Sequence, residues 1–314
     1  MGVSIQRRWA SAALALVAAL LVFAYARPVT VLETTGELVL RLSGVRSAYA
    51  QAGPHRVRYL EAGAGEPLVL VHGLGSNAMQ DWGRLVAPLG RRYHVYAPDL
   101  PGFGRSERPA AADYGIPMQV EAVRAFMAAV GVSRARVVGN SMGGWIVARL
   151  AGEHPELVLK LVAVAPAGMR PEAAAPIPAE DLLPRDEDGV RRLVAVVRHK
   201  PPLMPSFLVR DILARRLREE WVVRRALESM AAGRDWLNGT LGRADMPVLV
   251  VWGKQDRLIP VAYAAPWQAE FEHAELKLLE GCGHVPMADC PEAFDRELLA
   301  FLASSMPASA ADRR

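Results

Sequence analysis

Length, composition and charge are those of an ordinary globular protein. The chain has 314 residues, of which 52% are hydrophobic, so it can bury one large core or two smaller ones. Its formal net charge of +4 is small for this length, and its arginines are scattered, which argues against a nucleic-acid partner. The phosphate-binding motif GxxxxGK[ST] and the zinc motif HExxH do not occur in the sequence.

Residues 1–28 are predicted to be a membrane anchor or a signal segment. Arg7 and Arg8 precede an uncharged apolar run, Ala12–Ala26, which is slightly shorter than the about 20 residues that a membrane span needs. The sequence Ala24-Tyr25-Ala26 also fits the small-x-small pattern at which secretory signals are cleaved. We expect a single-pass anchor with the rest of the chain on the non-cytoplasmic, periplasmic side. Secretion after signal cleavage is the alternative.

A juxtamembrane connector is predicted for residues 29–46. The segment Val29–Val45 has apolar residues at helical spacing, and Thr34–Glu37 (TTGE) has the form of a capping box, at which a helix begins. Such a helix can lie along a lipid surface or pack on the domain that follows. The sequence does not decide between the two.

Strands and helices alternate in residues 47–168 and 243–305. Segments typical of strands are Ser47–Gln51, Arg56–Glu61, Pro67–His72, His94–Ala97, the run that ends at Val138, Leu159–Ala165, Pro247–Trp252 and Glu275–Glu280. Helical patterns lie at Trp82–Leu89, Pro117–Val130, Gly144–His154 and Glu292–Ala303. This alternation predicts an α/β fold with a mostly parallel, doubly wound sheet, whose functional loops lie at the carboxyl ends of the strands.

One long insertion interrupts the alternation. Residues 169–242 separate two consecutive strands, although such connections usually have about 2–6 residues. We expect this insertion to be a helical cap, because helical patterns cover Val190–His199, Ser206–Arg218 and Glu220–Ala231. The apolar segment Pro201–Val209 is suited to line an acyl pocket, to touch lipid or to pack within the cap. A flexible tail is predicted for residues 306–314.

Ser141 lies in a Gly-x-Ser-x-Gly pattern between a predicted strand and a predicted helix. This order is the sequence form of a nucleophile elbow, a strained turn that lifts a serine hydroxyl clear of the sheet. Gly139 and Gly143 fit it because the strand and helix backbones pass too closely there for side chains. The pattern is weak alone, but its position predicts that Ser141 is a nucleophile.

A serine nucleophile needs an imidazole base, which a carboxylate in turn orients. Of the seven histidines, only His284 lies in a glycine-rich loop after the last predicted strand, and Asp256 follows the strand before it. His72 and Asp99 are predicted to be structural residues, the latter a hydrogen-bond acceptor in its loop. We therefore predict a catalytic triad of Ser141, Asp256 and His284.

Two backbone amides are predicted to form an oxyanion hole. Met142 follows the serine at the start of a helix, and Leu74 follows His72-Gly73 at the end of a strand. Backbone N–H groups at these positions are expected to stabilise a developing negative charge. This chemistry needs neither a metal nor an organic cofactor.

The segments HGLGS, DLPGFGRS, GNSMGG, WGKQD and GCGH occur in this order along the chain. From Ser47 to Ala303 the chain resembles serine hydrolases of the α/β-hydrolase fold, whose triad residues follow the same chain order. It is most similar to the membrane-anchored monoacylglycerol lipases of the α/β-hydrolase-domain group, which share the Pro166–Gly168 turn (PAG). The resemblance implies hydrolysis of carboxylic esters, with lipid-like esters such as monoacylglycerols as substrates.

The alternative function is hydrolysis of carbon–carbon bonds in aromatic ring-fission products. Hydrolases of that group carry a similar GNSMGG and CGH, but they often have Trp directly after the histidine, where this chain has Val285. Epoxide hydrolases and haloalkane dehalogenases use an aspartate at the elbow, which Ser141 argues against. The expected partners are a small-molecule ester or lipid and the membrane, and no nucleic acid; the oligomeric state is left open.

The two cysteines of the chain, Cys282 and Cys290, flank His284. Their number excludes a disulfide scaffold, and their spacing is not that of a zinc site. They can pair in an oxidising compartment, but two small packed thiols are the favoured prediction.

Overall fold

A mixed β-sheet forms the centre of the computed structural model, which describes residues 2–170, 179–241 and 244–305. Eight strands lie within these residues: β1 (Arg46–Ala52), β2 (His55–Ala62), β3 (Pro67–Val71), β4 (His94–Pro98), β5 (Ala135–Asn140), β6 (Val158–Val164), β7 (Val248–Gly253) and β8 (Ala274–Leu279). Their order across the sheet is β1-β2-β4-β3-β5-β6-β7-β8. Strand β2 runs antiparallel to both of its neighbours, and the pairs from β4 to β8 are parallel. The predicted α/β fold with a mostly parallel sheet is confirmed.

The helices of the described residues follow one another along the chain as α1 (Gly2–Ala26), α2 (Pro28–Leu42), α3 (Ala78–Leu89), α4 (Ile116–Ala129), α5 (Met142–Glu153), α6 (Ala179–Leu182), α7 (Glu187–Val197), α8 (Ser206–Ala231), α9 (Ala264–Ala269), α10 (Pro286–Asp289) and α11 (Pro291–Ala303). Helices α3 and α11 cover one face of the sheet, and α4, α5 and α9 cover the other. The sheet is therefore doubly wound. The predicted tail, residues 306–314, lies outside the described residues.

Strand β3 shows why the central strands are apolar along their whole length. Leu68 and Leu70 belong to the core under α3 and α11, whereas Val69 and Val71 belong to the core under α4 and α5. Side chains alternate between the two faces of a strand, and here each face is covered by helices. All four side chains are fully buried.

Helix α2 does not begin where its sequence predicts. It begins at Pro28, a residue type well suited to a first helical turn, so that Thr34 lies inside the helix and its hydroxyl donates to the Thr30 carbonyl. The predicted capping box was wrong, because the fixed φ of a proline provides an earlier start. The helix packs on the insertion through a Glu33–Arg215 ion pair of 2.9 Å.

The first two helices meet at a sharp bend. Among the described residues, no single helix is both long and apolar enough for a membrane span. Ala13–Ala26 and Pro28–Leu42 meet both requirements only as a pair, bent by 101°. The single-pass anchor in residues 1–28 stays a prediction.

The insertion between β6 and β7 contains α6, α7 and α8 in its described part. Two helices were predicted at Ser206–Arg218 and Glu220–Ala231, but the structure has one helix, the 26-residue α8. The spacing of the apolar residues changes near Glu219, which is why two helices were predicted. The residues there are nevertheless good helix formers, and no Gly or Pro interrupts the segment. The helix therefore continues through the predicted break.

Cys282 and Cys290 form a disulfide, with their Cα atoms 5.7 Å apart. The prediction of two packed thiols was wrong. The sequence could not decide this, because the pairing depends on α10 and its flanking loops bringing two residues eight positions apart within bonding distance. The bridge closes the loop that carries His284.

Replacing both cysteines with serine is expected to lower the free energy of unfolding by about 2.5 kcal/mol, the chain-entropy value for so short a loop. Urea denaturation of the oxidised wild type and of the double variant measures the difference. The wild type in reductant serves as the control and should unfold like the double variant. Two titratable thiols in oxidised, denatured wild type would contradict the pairing.

Candidate active site

Ser141 occupies the turn between β5 and α5 in a strained backbone conformation. Its φ of 56° and ψ of −119° lie in a backbone region that residues other than glycine rarely adopt. The Ser141 N–H donates to the Val164 carbonyl at 2.9 Å, and its carbonyl accepts from the N–H groups of Trp145 and Ala167, both at 3.1 Å. These bonds on both sides of the residue hold the turn in place.

The glycines of the turn are required by close backbone contact. A Cβ at Gly139 would lie 2.2 Å from the Gly143 carbonyl oxygen, and a Cβ at Gly143 would lie 2.3 Å from the Val71 carbonyl oxygen. No side chain fits at these distances. The predicted nucleophile elbow thus has the local geometry that its sequence pattern requires.

His284 and Asp256 are brought together as a buried pair. The Nδ1 atom of His284 lies 2.9 Å from Oδ2 of Asp256. The other carboxylate oxygen accepts from the N–H groups of Leu258 and Ile259, at 2.8 and 2.9 Å. Because Asp256 accepts, Nδ1 carries the proton and Nε2 is left as an acceptor. That Nε2 atom is buried and makes no hydrogen bond to a described residue.

One cavity of about 1210 Å³ connects the predicted site residues. Ser141, His284, Leu74 and Met142 all line it, whereas Asp256 lies behind the imidazole and does not. Residues of α2, of the insertion and of the core complete its walls. The cavity therefore collects four of the five predicted site residues on one surface, with the fifth in contact with His284.

The predicted oxyanion amides lie on this surface. Neither Leu74 nor Met142 donates its N–H to another described residue. Met142 is the first residue of α5, where N–H groups have no acceptor within the helix and the helix dipole favours negative charge. The loop before Leu74 passes directly over the serine, since a Cβ at Gly73 would lie 3.2 Å from the Ser141 Cβ.

Asp81, in the first turn of α3, holds this loop, and sequence reasoning missed it. Its Oδ2 accepts from the Gly73 N–H at 2.9 Å and from the Asn140 side chain at 3.4 Å, while its Oδ1 accepts from the Ser76 hydroxyl. One carboxylate thus ties the loop of Leu74 to the strand end before Ser141. An acidic residue in the first turn after the HGLGS segment was the available signal.

His72 and Asp99 are structural, as predicted. His72 Nε2 accepts from the Leu100 N–H at 2.9 Å, so its Nδ1 carries the proton and donates to the Gly73 carbonyl at 2.8 Å. Asp99 accepts from the N–H groups of Ala78 and Arg105, at 2.8 and 2.9 Å. Both side chains therefore hold loops in place through hydrogen bonds to backbone groups.

The loop of His284 is fastened to the insertion. The buried Asp289 carboxylate accepts from Arg198 Nε at 2.6 Å and from the backbone N–H groups of His199 and Gly283, at 2.8 and 2.9 Å. The His284 N–H also donates to the Val197 carbonyl at 3.0 Å. The sequence analysis did not identify this contact, because Asp289 and its partners on the insertion lie about 90 residues apart.

The apolar segment Pro201–Val209 contributes to the cavity wall. Pro202, Leu203, Met204 and Leu208 line the cavity, and Leu203 is 96% exposed. Of the three predicted roles, lining a pocket is the one these positions favour.

Within the described part of the chain, no group of three or more His, Cys, Asp and Glu side chains is arranged to hold a metal ion.

Comparison with known proteins identifies similar hydrolases. The structure is similar to the crystal structure of a membrane phospholipase A, described as a bacterial virulence factor, with a TM-score of 0.83 and 32% identity; the match covers 94% of this chain and 98% of that one. Lipase 1 of Psychrobacter immobilis is 30% identical over 248 residues, or 76% of this chain and 78% of the lipase.

A carbon–carbon bond hydrolase is also similar. The 2-hydroxy-6-oxo-6-(2'-aminophenyl)hexa-2,4-dienoic acid hydrolase of Metapseudomonas resinovorans is 29% identical over 266 residues, or 81% of this chain and 90% of the hydrolase. The profile of the Alpha/beta hydrolase family matches residues 68–297, which is most of the chain. The chain belongs to the alpha/beta hydrolase family.

Proposed function

We propose that this chain is a serine hydrolase that cleaves carboxylic esters through an acyl-enzyme on Ser141. One observation carries the proposal: the His284–Asp256 pair, 2.9 Å apart, has a buried imidazole Nε2 without a described partner, and His284 lines the same cavity as Ser141. An imidazole held in this tautomer accepts a proton from a serine hydroxyl. The strained elbow presents that hydroxyl to the cavity.

In the first half of the reaction, His284 Nε2 takes the proton of Ser141 as Oγ bonds to the ester carbonyl carbon. The carbonyl oxygen becomes an oxyanion and accepts from the N–H groups of Leu74 and Met142. The bond to the alcohol oxygen then breaks, and His284 gives the proton to the leaving alcohol. Asp256 stays ionised and stabilises the imidazolium.

In the second half, water attacks the acyl-enzyme. His284 takes a proton from the water, and the same two amides stabilise the second oxyanion. Collapse of this intermediate breaks the bond to Ser141 Oγ, which recovers its proton from His284. The products are a carboxylic acid and an alcohol, so the reaction needs no group other than water.

Lipid-like esters, such as monoacylglycerols, are the substrates that we propose. The large cavity and its apolar wall from Pro202 to Leu208 suit an acyl chain. A lipase and a phospholipase A among the similar proteins support this choice. The membrane-anchored monoacylglycerol lipase group is the finer assignment that we propose within the family.

Carbon–carbon bond hydrolysis of ring-fission products is the second candidate. It is favoured by the similarity to the dienoic acid hydrolase, at 29% identity. Val285 in place of a Trp after His284 argues against it. Turnover of a ring-fission dienoate together with inert esters would select this second function.

We further propose that the chain is attached to the membrane by residues 1–28, with its active site on the periplasmic side. Apolar side chains are exposed on α1, among them Leu20, Leu21 and Val22, and on α2, where Leu42 is 80% exposed. Monomeric soluble proteins rarely expose apolar patches of this kind. The disulfide supports the location, since disulfides persist in oxidising compartments. Secretion after cleavage at Ala26 is the alternative.

Ser141→Ala is expected to lower kcat for p-nitrophenyl butyrate by about 10⁴-fold or more. Alanine keeps the Cβ and removes only the hydroxyl, so the elbow should keep its backbone geometry. Steady-state kinetics measures the loss, and circular dichroism with urea unfolding checks that the fold is retained. Retained turnover would place the nucleophile elsewhere.

Asp81→Asn is expected to lower kcat about tenfold with little change in KM. The weaker acceptor holds the Gly73 N–H less firmly, and misplacing one oxyanion donor costs part of the about 2.7–4 kcal/mol that such a donor contributes. Glu121→Gln is the matched control, because Glu121 is an exposed carboxylate that pairs with Arg124. Equal kinetics for Asp81→Asn and the wild type would show that the loop does not depend on Asp81.

The anchor is tested on the full chain expressed in a bacterial host. We expect the mature protein to keep its N-terminal residues and to stay in the membrane pellet after alkaline carbonate extraction. Mass spectrometry of the N-terminal peptide and immunoblotting of both fractions measure these outcomes. A mature chain that begins at Arg27 and is found in the soluble fraction would establish the cleaved signal instead.

A further inference from the structure

Arg216, on α8, is a cation that lines the cavity and has no ion-pair partner among the described residues. Each of the other arginines in the cavity wall has a carboxylate oxygen within 3.1 Å: Arg58, Arg105, Arg198 and Arg215. Within the described part of the chain, the Arg216 guanidinium has none within the 4.0 Å limit of an ion pair. Among the arginines that line this cavity, Arg216 is thus the one that no described carboxylate neutralises.

A hydrogen bond to a neighbouring loop places this guanidinium beside the proposed oxyanion hole. Nη1 of Arg216 donates to the Gly75 carbonyl at 2.8 Å. Gly75 directly follows Leu74, whose N–H is a proposed oxyanion donor. A guanidinium has five N–H donors, so most of those of Arg216 remain for other acceptors. The Arg216 guanidinium therefore lines the cavity next to the loop that carries this proposed donor.

The nearest negative charges do not satisfy Arg216, because each is already engaged. Glu219 pairs with Arg108 at 2.9 Å, and Asp81 accepts from the loop of Gly73. Burial lowers the pKa of Arg216 below its ordinary value, and these two carboxylates oppose that shift only from a distance. Arg216 is only partly buried, but a partly buried cation with no close counter-ion among the described residues is destabilising, and a bound anion would relieve that cost.

We propose that Arg216 binds an anionic phosphate in the alcohol part of the substrate, so that, among the proposed lipid-like esters, phosphate-bearing glycerol esters are cleaved more efficiently than uncharged monoacylglycerols, which remain substrates. The inference rests on the proposed ester hydrolysis and names its substrate class. A guanidinium matches a phosphate with two parallel N–H bonds. In a glycerophospholipid, only glycerol carbons and oxygens separate the phosphate from the ester carbonyl, so both groups fit one cavity when the carbonyl lies at Leu74.

The test compares two soluble substrates below their critical micelle concentrations: the octanoyl ester of glycerol, and the same ester with a phosphate on the terminal glycerol carbon. Arg216→Met is expected to lower kcat/KM for the phosphate ester by about 10–100-fold, mainly through KM, since bonds to charged groups are strong. The uncharged ester loses only the contact to the Gly75 carbonyl, so its loss should be at least about tenfold smaller than that of the phosphate ester. Arg216→Lys, which keeps the charge, should retain an intermediate preference and covers the case in which Arg216→Met does not fold.

Arg218→Met is the matched control, since Arg218 is exposed, lies on the same helix and does not line the cavity. It removes the same charge and should leave the ratio of the two substrates unchanged. An equal loss on both esters in Arg216→Met would overturn the proposal, because Arg216 would then act only by holding the Gly75 carbonyl. A matching change in Arg218→Met would show an effect of overall charge and would also overturn it.

A binding measurement separates this inference from the proposed function. Calorimetry with octyl phosphate on the Ser141→Ala protein needs no turnover, so it remains decisive if neither ester is hydrolysed. Adding Arg216→Met should weaken octyl phosphate binding at least about tenfold. Octanoate, a carboxylate with the same number of carbon atoms, is measured in parallel. If Arg216→Met leaves octyl phosphate binding unchanged, whether or not it weakens octanoate binding, the assignment of a phosphate site is overturned.

Discussion

The backbone of the β5–α5 turn lies so close to its neighbours that only glycine fits at positions 139 and 143. This contact fixes the strained conformation of Ser141 between them, and hydrogen bonds from both sides maintain it. The rest of the site is arranged around that fixed point. Because parallel strands end at one edge of the sheet, the loops after β3, β7 and β8 bring Leu74, Asp256 and His284 to the same region.

Elements outside the sheet determine how firmly these loops are held. Asp81 fixes the loop of Leu74, Asp289 fixes the loop of His284 to the insertion, and the disulfide closes the loop of His284 on itself. Arg216 reaches from α8 to the Gly75 carbonyl, so the insertion contacts both loops that the proposed chemistry uses. The insertion thus forms part of the site, and its cation gives the cavity a charge that a purely apolar acyl pocket would not have.

The sequence predicts the features that depend on local pattern. Ser141, Asp256 and His284 follow strands, and the chain order of strands predicts that their loops converge. Asp289 and Arg216 were missed because their partners lie 91 and 141 residues away, and no local pattern links such pairs. The continuous α8 was missed for a related reason: its apolar spacing changes as different parts of the helix face different neighbours, although every residue in it tolerates a helix.

The proposed reaction depends above all on Ser141 being a nucleophile that His284 activates. A fluorophosphonate probe forms a covalent bond with an activated serine, and tandem mass spectrometry of the labelled protein identifies the residue. We expect one labelled site, Ser141, in the wild type, and a large loss of labelling rate in His284→Ala. A label on another residue, or ester turnover that continues in fully treated but unlabelled protein, would contradict it.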